Sequence, residues 1–179
     1  RIIIVFSFMR SALATQQIPG NQILIGLALV LTLFIMKPVY SQVINEAINP
    51  YLEGQITQQE GIDIASVPMK KFMLDQTREK DLALFLKISE QEVPENKLDL
   101  SFTILVPSFI ISELKTAFQM GFLLYVPFLI LDVVISSILL SMGMMMLPPV
   151  MISLPFKLML FVLADGWHLI AGSMIKSFG

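Results

Sequence analysis

The sequence predicts an all-α, membrane-associated protein in which apolar helical hairpins flank a small, water-exposed helical insert. Three observations carry that prediction. The composition is 55% hydrophobic and only 15% charged, where ordinary soluble domains carry about 25% charged residues. Residues 41–101 hold eleven acids and six bases, a net charge of −5, between segments almost free of charge. From Ser141 to Lys157 the chain reads SMGMMMLPPVMISLPFK, a helix-breaking stretch with long apolar runs on both sides. The chain therefore divides into an N-terminal apolar hairpin over residues 1–40, an acidic helical domain over 41–103, and a longer apolar hairpin over 104–179 with its tip at 141–151.

Taken in order, RIIIVFSFM reads as the end of an apolar helix that begins upstream, so a signal sequence is expected to be missing here. Residues 10–22, with Pro19-Gly20-Asn21, read as a turn carrying one positive and no negative side chain. Ile23 to Met36 is apolar except for Thr32, and Lys37-Pro38 closes it. Fourteen helical residues rise about 21 Å, short of the ~30 Å hydrocarbon core, so this segment suits a protein bundle better than a lone span. In the acidic region one helix is expected over about 40–52. A second is expected over 67–89, with Ser66 as N-cap and Pro68 in its first turn. Leu74, Arg78, Leu82, Phe85 and Leu86 follow helical spacing along it, and Val93-Pro94-Glu95-Asn96 breaks it. Ile104 to Met142 is the longest apolar element, about 58 Å as a straight helix and nearly two hydrocarbon thicknesses. Pro107 is expected to start it and Pro127 to kink it. Residues 150–176 form the return arm. The lone Arg10 in the first turn, opposite an acidic insert, predicts a cytoplasmic turn and an extracytoplasmic insert.

Composition narrows the chemistry. With no cysteine and a single histidine, neither a thiolate site nor a histidine metal cluster can form from one chain, and no cofactor is expected. A net charge of −2 argues against a nucleic-acid partner. Asp165-Gly166-Trp167-His168 invites an acid–base reading, with Ser173 nearby. The chain nevertheless has no G-x-S-x-G, H-E-x-x-H or paired-aspartate motif. Trp167 and His168 fit an interfacial anchor better, so an enzyme is not expected.

Glu113, Lys115, Asp132, Lys157 and Asp165 lie in otherwise apolar segments, where facing lipid costs a few kcal/mol each, so burial against protein, water or one another is expected. One reading is a proton or ion pathway, which makes a proton-coupled transporter subunit using Lys115, Asp132, Lys157 and Asp165 the alternative function. The other is a set of interhelical pairs that fixes assembly. Transporters of that kind usually carry internal repeats with paired broken helices, and none is visible in the sequence. Glu113 and Lys115, two residues apart, point to different faces. Glu113 is therefore expected to meet a basic group on another helix or subunit. Phe72 and Phe85 are large apolar side chains on a charged segment. They either hold neighbouring subunits or the hairpin base together, or fill the insert's own small core. The tip also has two readings. Met142, Met144, Met145 and Met146 are flexible packing filler, or they line a constriction that deforms around a passing chain.

Five blocks carry a resemblance over nearly the whole chain: RIIIVFSFMR, PGNQILIGLALVLTLFIMKPV, FMLDQTREKDLALFL, FIISELKTAFQMGFLLYVPFLILDVV and SMGMMMLPPVMISLPFKLMLFVLADGW. They resemble the FliP/SctR export-gate family of type III secretion systems, and the Pro148-Pro149 pair looks like flagellar members rather than virulence ones. The resemblance implies a pentameric ring of these subunits, completed by FliR and surrounded by FliQ, in the bacterial inner membrane at the flagellar basal body. It implies passage of unfolded flagellar proteins, with the methionine loop, here Met142, Met144, Met145 and Met146, as a gasket. It also implies that the assembled hairpins sit partly above the bilayer plane, while membrane lipid remains a partner.

Overall fold

The structure is a computed structural model of the 179-residue chain, describing every residue except 16, 90–93, 95 and 145. Among the described residues it is helical, with no strand. The helices are α1 (Ile2–Ala12), α2 (Asn21–Ile35), α3 (Lys37–Leu52), α4 (Gln58–Gln76), α5 (Glu79–Ile88), α6 (Phe102–Ser141), α7 (Pro149–Leu163) and α8 (Gly166–Lys176). The chain divides into two compact units, one of Arg1–Leu31 with Thr116–Gly179, the other of Thr32–Lys115.

In the first unit α1 buries Ile2, Val5, Phe6, Met9 and Ala12, a stripe at three- and four-residue spacing. Phe6 meets the Trp167 ring at 6.3 Å, and Phe8 meets Phe118 edge-on at 5.4 Å. Full burial of a ring like Phe6 contributes about 2–3 kcal/mol. The chain passes so close at Gly121 that a Cβ there would lie 2.5 Å from the Phe8 ring. At the other end of the unit, Arg1 lies 3.9 Å over the Phe178 ring and donates to the Ser177 carbonyl at 2.6 Å.

Helix α6 is long and apolar enough to cross a membrane, and only 6% of its most apolar stretch is buried. Its 40 residues rise about 60 Å. The helix starts at Phe102, not at Pro107, and both Pro107 and Pro127 lie inside one continuous helix. The return arm is made of two helices, α7 and α8. It is bent by 62° between α7 and α8. Asp165 takes a left-handed conformation there (φ 49°), which short polar side chains tolerate. Gly166 lies so close beneath Phe161 that a Cβ would overlap the ring. If each bent pair (α2 with α3, α7 with α8) counts as one span, the described residues hold up to three by length and composition.

The second unit corrects the expected helix over 67–89. Helix α4 begins nine residues earlier, at a capping box. The Thr57 N–H donates to Glu60 Oε2 at 2.7 Å and the Glu60 N–H to Thr57 Oγ1 at 3.3 Å. Those two bonds satisfy donors that the first turn leaves open, and the Thr57 amide holds the Glu60 carboxyl below its ordinary pKa. Ser66 is no cap; its hydroxyl donates to the Asp63 carbonyl, and Pro68 sits buried inside the helix. Thr77 and Arg78 are extended, so one expected helix is two. Arg78 accordingly stands at the start of α5 rather than on an apolar stripe. Leu82 and Leu86 form a buried cluster with Leu100 and Ile104, and Leu74 and Phe85 pack against it. Helix α3 widens into π geometry over Ile44–Ile48. Pro50 lacks the N–H that Glu46 would accept, and its ring crowds that carbonyl. Val93 and Glu95 of the Val93–Asn96 breaker lie outside the described residues.

Candidate functional site

The turn between α6 and α7 is built by its glycine. The Met144 N–H reaches back to the Leu139 carbonyl at 3.0 Å and the Gly143 N–H to Leu140 at 3.1 Å, with Gly143 at φ +74°. This nested pair is a Schellman cap, which needs a left-handed residue just beyond the helix. On the far side Pro149 opens α7, where a missing N–H costs nothing. Between these ends Met142, Met144 and Met146 are exposed, Met146 at 99% of its surface, together with Leu147 and Met151. Met145 lies outside the described residues. No charged residue occurs from Ser141 to Phe156.

Behind the turn the two arms are joined by a polar staple. Lys157 Nζ on α7 donates to Asp132 Oδ2 on α6 at 2.6 Å, and Ser153 Oγ donates to Asp132 Oδ1 at 2.6 Å. The lysine side chain is 3% exposed and the aspartate 23%. Asp132 stands nine residues before the end of α6, roughly 14 Å along the helix from the turn. Both carboxylate oxygens are satisfied, which offsets the cost of taking the pair out of water. Lys157 and Asp132 were expected to be buried and paired with each other or with protein. Ser153 was not singled out from sequence, although its i, i+4 spacing to Lys157 puts both on one face of α7.

The other expected charges are placed differently. Glu113 is buried, but Lys115 is exposed, as its two-residue offset on the helix dictates. Asp165 is also exposed, because it occupies the break between α7 and α8 and is not part of a helix face. Lys115 and Asp165 therefore face outward from the single chain, unlike Asp132 and Lys157. Phe72 tilts against Phe109 with centroids 6.1 Å apart, and Phe85 is half-buried on the Leu82 cluster. His168 and Ser173 are exposed, and no hydrogen bond among the described residues joins them to Asp165. No group of three or more metal-binding side chains occurs among the described residues.

A second polar knot escaped the sequence reading. Asp81 Oδ2 accepts from Ser112 Oγ and from the Arg78 guanidinium, each at 2.6 Å, while the Arg78 N–H donates to Ser112 Oγ at 3.0 Å. Burial pushes the Asp81 carboxyl up, but the Ser112 hydroxyl and Arg78 outweigh it and hold the group below its ordinary value. The Arg78–Asp81 spacing of three residues was the available signal.

Apolar helices that could cross a bilayer, a charge-free turn and two polar knots define an all-helical, membrane-associated class of protein. The chain matches the FliP family over residues 1–174. It is 56% identical over 178 residues to the flagellar biosynthetic protein FliP of Bacillus subtilis, covering 99% of this chain and 80% of that one. It is 51% identical to the Pectobacterium carotovorum protein of the same name, covering 69% of its length, and 52% identical to that of Buchnera aphidicola from Acyrthosiphon pisum, covering 47%. The chain belongs to the FliP family, a family of structural components of the flagellar export apparatus and not of enzymes.

Proposed function

We propose that this chain is the pore-forming subunit of the flagellar type III export gate. In this reading copies of the chain form a ring with FliR and FliQ in the bacterial inner membrane at the flagellar basal body. Unfolded flagellar proteins pass through it. The observation that carries the reading is the exposed, charge-free methionine turn, held at the end of a hairpin whose arms are stapled by Asp132, Lys157 and Ser153. An apolar constriction excludes ions because shedding their hydration is costly. Unbranched thioether chains can rotate aside for a bulky polypeptide among low-energy rotamers. The low burial of α6 supports the same reading, since so much apolar surface calls for lipid or further subunits.

Native mass measurement in mild detergent tests it, on this chain expressed alone and with FliQ and FliR. A closed multi-subunit ring that gains mass with the two partners supports the proposal. A monomeric chain under both conditions overturns it. The transporter alternative is disfavoured by the staple: Asp132 accepts from Lys157 on one carboxylate oxygen and from Ser153 on the other, so both of its oxygens are already engaged.

A further inference from the structure

The exposed thioethers of the turn carry a chemistry that sealing does not use. Met142, Met144 and Met146 are exposed in the single chain, as are Met151 just beyond the turn and Met159 on α7, whereas Met9 and Met174 are buried to 1% and 0% exposure. Methionine oxidation follows accessibility. We infer that Met142, Met144 and Met146 form an oxidation site at which a peroxide converts thioether to sulfoxide and thereby loosens the proposed seal. This rests on the seal reading given above. In the step, sulfur attacks one peroxide oxygen, the O–O bond breaks and an S=O bond forms. Sulfur loses two electrons, and the second oxygen leaves as water with both peroxide protons. The product is polar and a strong hydrogen-bond acceptor where an apolar side chain stood. From Ser141 to Phe156 no charged side chain is present to interact with it, so the new dipoles recruit water. A constriction that stays dry because it is apolar then wets, and ions follow. Sulfoxide reductases, one for each epimer, reverse the change. The turn is thus a reversible redox-sensitive element.

The experiment treats the complex assembled with its partner subunits with hydrogen peroxide. Sulfoxide is mapped by peptide mass spectrometry, and ion conductance is followed in a planar bilayer before and after. The expected result is sulfoxide at Met142, Met144 and Met146 ahead of Met9 and Met174, and a several-fold rise in conductance. A mixture of the two reductases should reverse both changes. The chain carrying Met142→Leu, Met144→Leu, Met145→Leu, Met146→Leu and Met151→Leu, compared with its own untreated state, should show no peroxide-dependent rise. Oxidation of Met9 or Met174 before the turn overturns the inference. So does turn sulfoxide with unchanged conductance, and so does an equal rise in the leucine variant. The seal reading is judged separately by untreated rings with alanine at the turn, so the two failures are distinguishable.

Discussion

Asp132 and Asp81 each anchor a polar cluster between helices. Asp132 is bonded by Lys157 and Ser153 in a mostly buried setting, so removing one partner leaves the other uncompensated. Lys157→Met or Asp132→Asn should each destabilise the chain by about 3–5 kcal/mol. The paired replacement should cost less than the sum, read as a double-mutant cycle in denaturant unfolding of the detergent-solubilised chain. Additive losses would mean the two groups do not interact. Asp81 makes a pH-dependent contribution. Its folded pKa lies below the unfolded one, so the contribution is fully present above the ordinary aspartate pKa of about 3.9 and is lost as pH falls through the lower folded value. Stability should therefore fall on acidification below about pH 4, and Asp81→Asn should be less stable at neutral pH with a flatter acid limb. An identical acid limb in the variant would remove Asp81 from the account.

The elements depend on a few local devices. Gly143 supplies the left-handed residue of the cap that ends α6, so Gly143→Ala should cost about 1–2 kcal/mol. It should also alter the turn while α6 remains helical by circular dichroism. Long apolar runs were legible from the sequence, because composition alone names a helix that fills a membrane or a core. The breaks were harder. Pro107 read as a start, yet α6 begins five residues earlier and runs through it. Thr57-x-x-Glu60 carries a capping signature, whereas the expected start rested on Ser66 and Pro68 alone. The interruption at Thr77-Arg78 has no glycine or proline to mark it. What favours the extended Arg78 is the Arg78–Asp81–Ser112 knot, which brings together residues 34 positions apart and is invisible to local spacing. Among the site residues, the turn and the Lys157–Asp132 charges were readable as chemistry out of place. Exposure at Lys115 and Asp165 was not, because it depends on which helix face and which break they occupy.

At the scale of the whole molecule the surface left apolar is the main fact, and the ring with its partners is the proposed answer to it. Phe72→Ala and Phe85→Ala should lower recovery of the assembled ring. If the chain itself unfolds in both, the rings serve the packing already described around Phe109 and Leu82. The acidic stretch should face away from the cytoplasm, opposite Arg10. A reporter fused at Glu60 should be active only as an extracytoplasmic reporter, and cytoplasmic activity there would reverse the topology. The central claim, that the methionine turn seals the ring, is tested most directly by conductance of assembled complexes in a planar bilayer. Replacing Met144, Met145 and Met146 together by alanine should widen the constriction and raise ion leak well above the parent, with assembly intact and motility measured alongside. An assembled triple-alanine ring as tight as the parent would contradict the claim and leave the methionines as packing filler.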